Sequence, residues 1–212
     1  MAWTLASQAI IEQLEHNLAE ADKLAAEAEQ ILREVGNELG VIAQMHNRSL
    51  IAISAGDLGK ARVLLERVLA EAERLDSDQS TGNALSDLGV VALYEGRYED
   101  SAPLFARALE SALRTGWRIN VSNALRGLAG VLAARGEIAS AARVLGAATA
   151  IGELTGETMQ GYAVDAYTKT AAPVLDRLDD REVAAAYAAG RAMTQADASA
   201  YALGAVAREA PL

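Results

Sequence analysis

Gly56, Gly96 and Gly136 are evenly spaced, and the residues around them recur with them. Around Gly96 the chain reads Leu88-Gly89, Ala92, Gly96, Tyr98, Ser101, Phe105, Ala108, Leu109. Around Gly136 it reads Leu128-Ala129, Gly136, Ile138, Ala141, Leu145, Ala148, and around Gly56 it reads Gly56, Leu58, Ala61, Leu65, Val68, Leu69. A weaker copy lies upstream, where Leu18, Ala21, Ala25 and Ala28 fall in register and His16 stands at the glycine position. A fixed period of this kind is the mark of one supersecondary unit copied along a chain. Each copy predicts a helix, a tight turn and a second helix. Glycine suits the turn because it accepts positive φ without a Cβ clash. The small residue five positions later lets the helices approach, and the large apolar residue nine positions later fills the space between units.

The helix pattern runs through the whole chain. It predicts helices at about 3–15, 18–35, 39–55, 58–76, 79–95, 98–115, 119–135 and 138–155, then at about 160–177, 181–190 and 195–207. Asp78 or Ser80 can accept from the free amides at the start of the fifth helix. Gly36, Gly116 and Gly156 read as C-terminal stops. Thr194 with Asp197 three residues on matches a capping box with Asp in the Glu place. Pro173 falls inside a helix and predicts a kink or break there. The run from Asp176 to Glu182 reads as a solvated turn, and a bend at Gly156-Glu157-Thr158 separates the repeats from the tail.

Composition fits that reading. The chain is 51% hydrophobic and only 4% aromatic, so alanine and leucine must do the packing. No β-branched alternating run is present to form strands. There is no apolar stretch of the ~18 residues a membrane span needs. The start lacks the basic region of a signal peptide. With no cysteine, disulfides, thiolate chemistry and the common structural zinc sites are excluded, which fits a cytoplasmic protein. Net charge is −10 and no basic run occurs, which argues against direct nucleic-acid contact.

The motif around Gly96 resembles the tetratricopeptide repeat: Leu-Gly, Ala, Gly, Tyr, Ser, Phe and Ala-Leu stand at that family's spacings. The period is 40 rather than 34, and Leu113 and Glu153 stand where the family's closing proline is usual, so the second helix of each pair is expected to be longer. Longer repeats of this kind are similar to the carboxy-terminal helical region of bacterial LuxR-type regulators and related signalling ATPases. Arg126-Gly127-Leu128-Ala129-Gly130-Val131, the run from Ala142 to Ala148 and the run from Ala189 to Thr194 carry that second likeness. The resemblance implies an all-α fold: a right-handed superhelix of antiparallel helix pairs, a TPR-like α-solenoid with about four pairs over residues 1–157. Helices in residues 158–212 would cap its open end. Tyr162, Tyr167, Tyr187 and Tyr201 are then expected to pack with their hydroxyls near solvent.

The resemblance also implies where a ligand would sit, because the first helix of each unit lines the concave side. Carried over by register with Leu85-x-x-Leu88-Gly89, the inward positions are His46, Asn47, Leu50 and Ile53 in one unit. They are Asn83, Ser86, Asp87, Val90 and Leu93 in the next, and Asn123, Arg126, Gly127 and Gly130 in the third. Asn offers a donor and an acceptor to a peptide backbone, or else caps a helix start. Arg126 is the only basic member and Asp87 opposes it, so a partner of mixed apolar and polar character suits the groove better than a bare carboxylate.

Other chemistry has little support. His16 and His46 lie on different predicted repeats with no second ligand at helical spacing, so no metal site is expected. No nucleophile elbow or phosphate loop is present, and no cofactor is implied. Three readings follow: a protein- or peptide-binding module serving as the regulatory part of a larger bacterial signalling or transcription regulator; a small-molecule receptor, with room provided by Gly127 and Gly130; and, last, an enzyme. An uncovered edge at Trp3, Leu5, Ile10 and Ile11 leaves room for a homodimer.

Overall fold

The structure, a computed structural model, describes residues 1–156 and 162–208, with the side chains of 162–166 excepted. The Glu157-Thr158 part of the expected bend and the Tyr162 side chain lie outside the described residues. Among these residues there are helices and turns and no strand. The helices are α1 (Ala2–Leu14), α2 (Leu18–Glu34), α3 (Glu38–Ser54), α4 (Leu58–Arg74), α5 (Asp78–Tyr94), α6 (Tyr98–Thr115), α7 (Arg118–Ala134), α8 (Ile138–Glu153), α9 (Tyr162–Leu175), α10 (Arg181–Arg191) and α11 (Gln195–Val206).

The turns keep a stricter rhythm than the sequence suggests. His16, Gly36, Gly56, Asp76, Gly96, Gly116, Gly136 and Gly156 all have positive φ, so left-handed residues follow α1 to α8 at one constant interval. Such a residue turns the chain while its amide and the next bond back to the last carbonyls. Gly56 N–H donates to Ile53 O at 3.0 Å and Asp57 N–H to Ala52 O at 2.9 Å. Glycine fits six of the eight positions. His16 and Asp76 hold the conformation with a side chain, at φ 63° and 50°. α3 and α4 are 17 residues each. The residues added to the family's shorter period are therefore not confined to the second helix of a pair.

The chain divides into two compact units, Met1–Ala84 and Leu85–Leu212, with the division inside α5. In the first unit, α1 packs on α2, α2 on α3 and α3 on α4. Ala21 and Ala61, five residues after each turn, are completely buried and set the close helix approach. Ala9, Leu24, Ala25 and Ile51 form one core cluster, and Ile42, Met45, Val68 and Ala84 another. Burying each Leu or Ile contributes roughly 1.5–3 kcal/mol. Leu5 packs against the first cluster, so it does not belong to the exposed edge expected at α1; Trp3, Ile10 and Ile11 do. Asn37 and Asp57 cap α3 and α4 by accepting from Gly40 and Lys60 N–H.

A chain of charges crosses the first unit. Asp22 accepts from Lys60 at 2.7 Å and from Arg48 at 3.1 Å; Arg48 also donates to Glu29 at 2.7 Å, and Glu29 accepts from Arg33 at 2.6 Å. Glu29 is almost fully buried at a place where the α6 copy has Leu109. Burial alone would raise the Asp22 carboxyl, but its hydrogen bonds to Lys60 and Arg48 outweigh this and hold it below the usual value.

In the second unit, α6 packs on α7, α7 on α8 and α8 on α10. Ser101 and Ala141 repeat the buried small position, and Phe105 and Leu145 the large one. The Phe105 ring fills the space where Gly89 and Gly127 lack a Cβ, joining α5, α6 and α7. α8 and α10 meet backbone to backbone: a Cβ on Gly146 would strike Tyr187 O, and one on Gly190 would strike Arg143 O. Arg191 fastens this contact with two bonds to Glu153, at 3.0 and 2.7 Å. Arg135 grips Glu99 at 3.0 and 2.5 Å and donates to Val206 O at 2.9 Å, tying the end of α11 to α6 and α7.

Several local expectations change. The residue capping α5 is Ser77, whose hydroxyl accepts from Ser80 N–H at 3.4 Å, rather than Asp78 or Ser80. α9 runs on through Pro173 to Leu175 without a break; the proline gives up its own backbone bond only two residues before the helix ends. Thr194 caps α11 as expected, accepting from Asp197 N–H at 3.2 Å. The segment after Asp176 is an exposed turn in which Asp180 caps α10.

Candidate binding groove

The concave positions carried over from the repeat resemblance fall in both units. In the first, His46, Asn47 and Leu50 are half-buried on α3, Ile53 is buried, and Asn83 is half-buried on α5. The Asn47 amide donates to Gln44 Oε1 at 3.4 Å. In the second, α5 supplies Ser86, Asp87, Val90 and Leu93, and α7 supplies Asn123, Arg126, Gly127 and Gly130. Asn83 and Asn123 are each the sixth residue of their helices, so neither is a cap.

The wall of the second unit is occupied by the chain itself. α9 packs on α7 and α8. Tyr167 is buried among the predicted groove residues and shares a hydrogen bond with the Ser86 hydroxyl. Its expected solvent-facing hydroxyl is therefore buried instead. Desolvation pushes that hydroxyl's pKa well above the ordinary tyrosine value; Asp87 pushes the same way, while Ser86 and Arg126 oppose. The phenol thus bonds to Ser86 and feels the charges of Asp87 and Arg126. Thr170, three residues on, lies against Gly130: a Cβ there would meet Thr170 Cβ at 2.8 Å. The space expected at Gly127 and Gly130 is thus taken up by Phe105 and Thr170.

Arg126 and Asn123 stand one turn apart on α7. Arg126 Nε and Asn123 Oδ1 are both buried and have no hydrogen-bond partner. Burial draws the Arg126 guanidinium below its ordinary pKa, against the opposing influence of Tyr167, Tyr187 and Glu153. An unsatisfied buried donor and acceptor are costly, at about 1–3 kcal/mol each, and such atoms are rare in folded chains.

Beyond Thr170 the seat of α9 is incomplete. A cavity of about 260 Å³ remains, lined by Val90, Leu93, Tyr94, Tyr98, Ala133, Pro173 and neighbouring residues. The Lys169 ammonium stands 5.2 Å from the centre of the Tyr94 ring at its margin. Sequence reasoning missed α9 as part of this wall. The available signal was Tyr167, Thr170 and Val174 at i, i+3 and i+7, the stripe of a helix that buries one face.

Among the described residues no group of three or more His, Asp or Glu is placed to hold a metal ion, and no helix is long and apolar enough to cross a membrane.

Comparison with known proteins agrees with this architecture. The tetratricopeptide repeat profile matches residues 41–114. Among solved structures, the chain is similar to the nearly identical TPR-like repeats of a candidate kinesin light chain from Podosopora anserina, with a TM-score of 0.62 and 17% identity. That match covers 89% of this chain and 94% of the other. A singly substituted form of the same repeats gives a TM-score of 0.62 at 18% identity, covering 91% and 95% of the two chains. No curated protein matches the chain. The fold class is the all-α, TPR-like solenoid.

Proposed function

We propose that this chain is a non-enzymatic protein- or peptide-binding module. The observation that carries the reading is the pair Asn123 Oδ1 and Arg126 Nε, a buried acceptor and a buried donor left without partners on the expected ligand-facing side of α7. A peptide unit offers the complementary N–H and C=O. Half-buried Ser86 and buried Val90 add a hydroxyl and an aliphatic surface nearby in sequence on α5. In the first unit, His46, Asn47, Leu50 and Asn83 are the corresponding positions. The likeness of the tail to LuxR-type regulators supports a place in a larger bacterial signalling or transcription regulator, acting in the cytoplasm, with nucleic acid held by another part. The exposed Trp3, Ile10 and Ile11 supply an apolar edge through which a second copy could pair; a monomer mass by light scattering would remove that element.

The test is calorimetric titration of a peptide panel, followed by N123A and R126A. Each substitution should weaken a genuine ligand by about three- to tenfold, in line with the roughly 0.5–1.5 kcal/mol of a hydrogen bond. Unchanged affinity in both variants would refute the assignment. A second reading, a small-molecule effector site, is favoured by the 260 Å³ apolar cavity beside α9. A metabolite panel in the same titration separates the two.

A further inference from the structure

We propose that α9 is a built-in occupant of the second unit's groove, and that the partner is an amphipathic helix of like chemistry that displaces it. This rests on the binding reading above and names the partner's class and its regulation. Helices recognised in a groove present anchors at i, i+3, i+4 and i+7. α9 does so with Tyr167, Thr170 and Val174, of which Tyr167 and Val174 are buried. Tyr167 shares a hydrogen bond with Ser86 and lies within electrostatic reach of Asp87 and Arg126, three positions assigned to the ligand-facing wall; α9 packs on α7, and Thr170 meets Gly130, a fourth.

α9 is also poorly suited to hold that seat. It is 14 residues long and carries Thr168, Thr170 and Pro173, residues of low helix propensity, so its helicity depends on the packing of its apolar face. An exposed turn, Asp176–Asp180, follows it. Beside the exposed Pro173, a cleft open to solvent runs along the helix. A competing helix with the Tyr167 anchor, a small or β-branched residue at the Thr170 place and leucine in place of Pro173 would fill that cleft. Burying a leucine side chain is worth a gain of at least about tenfold in affinity. A lysine two residues after the anchor would keep the contact with Tyr94.

The experiment adds fluorescent peptides to the full chain: residues 162–178 in native form, the same peptide with Pro173→Leu, and a scrambled control. The leucine peptide should bind at least about tenfold tighter than the native one, and the scrambled control should not saturate. In the chain, Y167A should tighten binding of the leucine peptide by about tenfold or more by weakening the occupant. T170L, which crowds Gly130 without altering α5 or α7, should do the same if Y167A fails to fold. Hydrogen exchange supplies a second readout. Peptide binding should speed exchange of the α9 amides and leave α10 and α11 protected. Binding without deprotection of α9 overturns the proposal, as does equal affinity for the scrambled peptide. So does a free chain whose α9 amides exchange as slowly as those of α5 and α7. A foreign peptide that binds through Asn123 and Arg126 while α9 stays protected would sink this proposal and leave the binding function standing.

Discussion

The Phe105 ring occupies the volume that a Cβ on Gly127 would need, and its Cζ also lies 2.8 Å from the Cβ position of Gly89. A helix-interior glycine costs up to ~1 kcal/mol relative to alanine, and here two are retained because one aromatic ring passes between their helices. G127A should therefore destabilise the second unit by about 1–3 kcal/mol despite its better helix propensity. Replacing Phe105 by leucine, the residue at the matching Leu65 and Leu145, should restore part of the loss in the double variant. Denaturant unfolding of the two single variants and the double variant measures the coupling; additive effects would refute it.

The contact between α8 and α10 is stiffer, since each glycine there faces backbone. G146A and G190A have no side chain to push aside, and each should cost about 3 kcal/mol or more. Exchange of the α10 amides should quicken before that of α7. Normal protection of α10 in both variants would show that the helices can part without loss.

His16 and Asp76 hold left-handed conformations that glycine holds elsewhere in the series. H16G and D76G should each raise stability by about 0.5–1 kcal/mol, the relief of left-handed strain less the entropy glycine adds to the unfolded chain. The converse change, G56A, should cost about 1–2 kcal/mol. Thermal unfolding of the three variants gives the signs directly.

Acid should reach the first unit through Asp22. Its folded pKa is depressed, so its contribution is fully present above the ordinary carboxylate pKa and is lost as pH falls through the lower folded value. The stability difference between the native chain and D22N should be constant near neutrality and shrink as pH falls below the ordinary carboxylate value. R48M leaves Glu29 buried with Arg33 as its remaining partner and should cost about 1–2 kcal/mol, between the values for exposed and buried pairs. A difference independent of pH would deny Asp22 this role.

Alkali acts on the second unit with the opposite sign. The raised pKa of Tyr167 means that the folded chain resists its ionisation. The associated stability is present below about pH 10, the ordinary tyrosine value, and is lost as pH rises beyond it. Y167F should flatten the alkaline limb of the stability profile; an unchanged limb would place the ionisation elsewhere.

The helices were legible because their period and turns are local. Gly56, Gly96, Gly136 and the buried small residues after them state the fold within a short stretch of chain, and helix limits fell close to expectation. Asp76 escaped notice because aspartate tolerates the left-handed region while looking like any polar turn residue. The groove was harder. Register could assign Ser86, Asp87, Asn123 and Arg126 to one wall, but not that Tyr167, far along the chain, would lie among them. Alanine-rich helices fit many neighbours equally well, so composition did not say which helices α9 would meet. Glu29 likewise gave no sign of its burial, because its counter-ion Arg48 comes from another helix.

Left-handed joints at one even interval have a consequence for how such a chain can change length. Each joint reverses the direction of travel. Adding one helix with its joint would invert every helix downstream, whereas adding a pair, a block such as residues 97–136, restores the original sense. Growth or loss by whole pairs of helices is the only bookkeeping that leaves the surviving faces pointed as before.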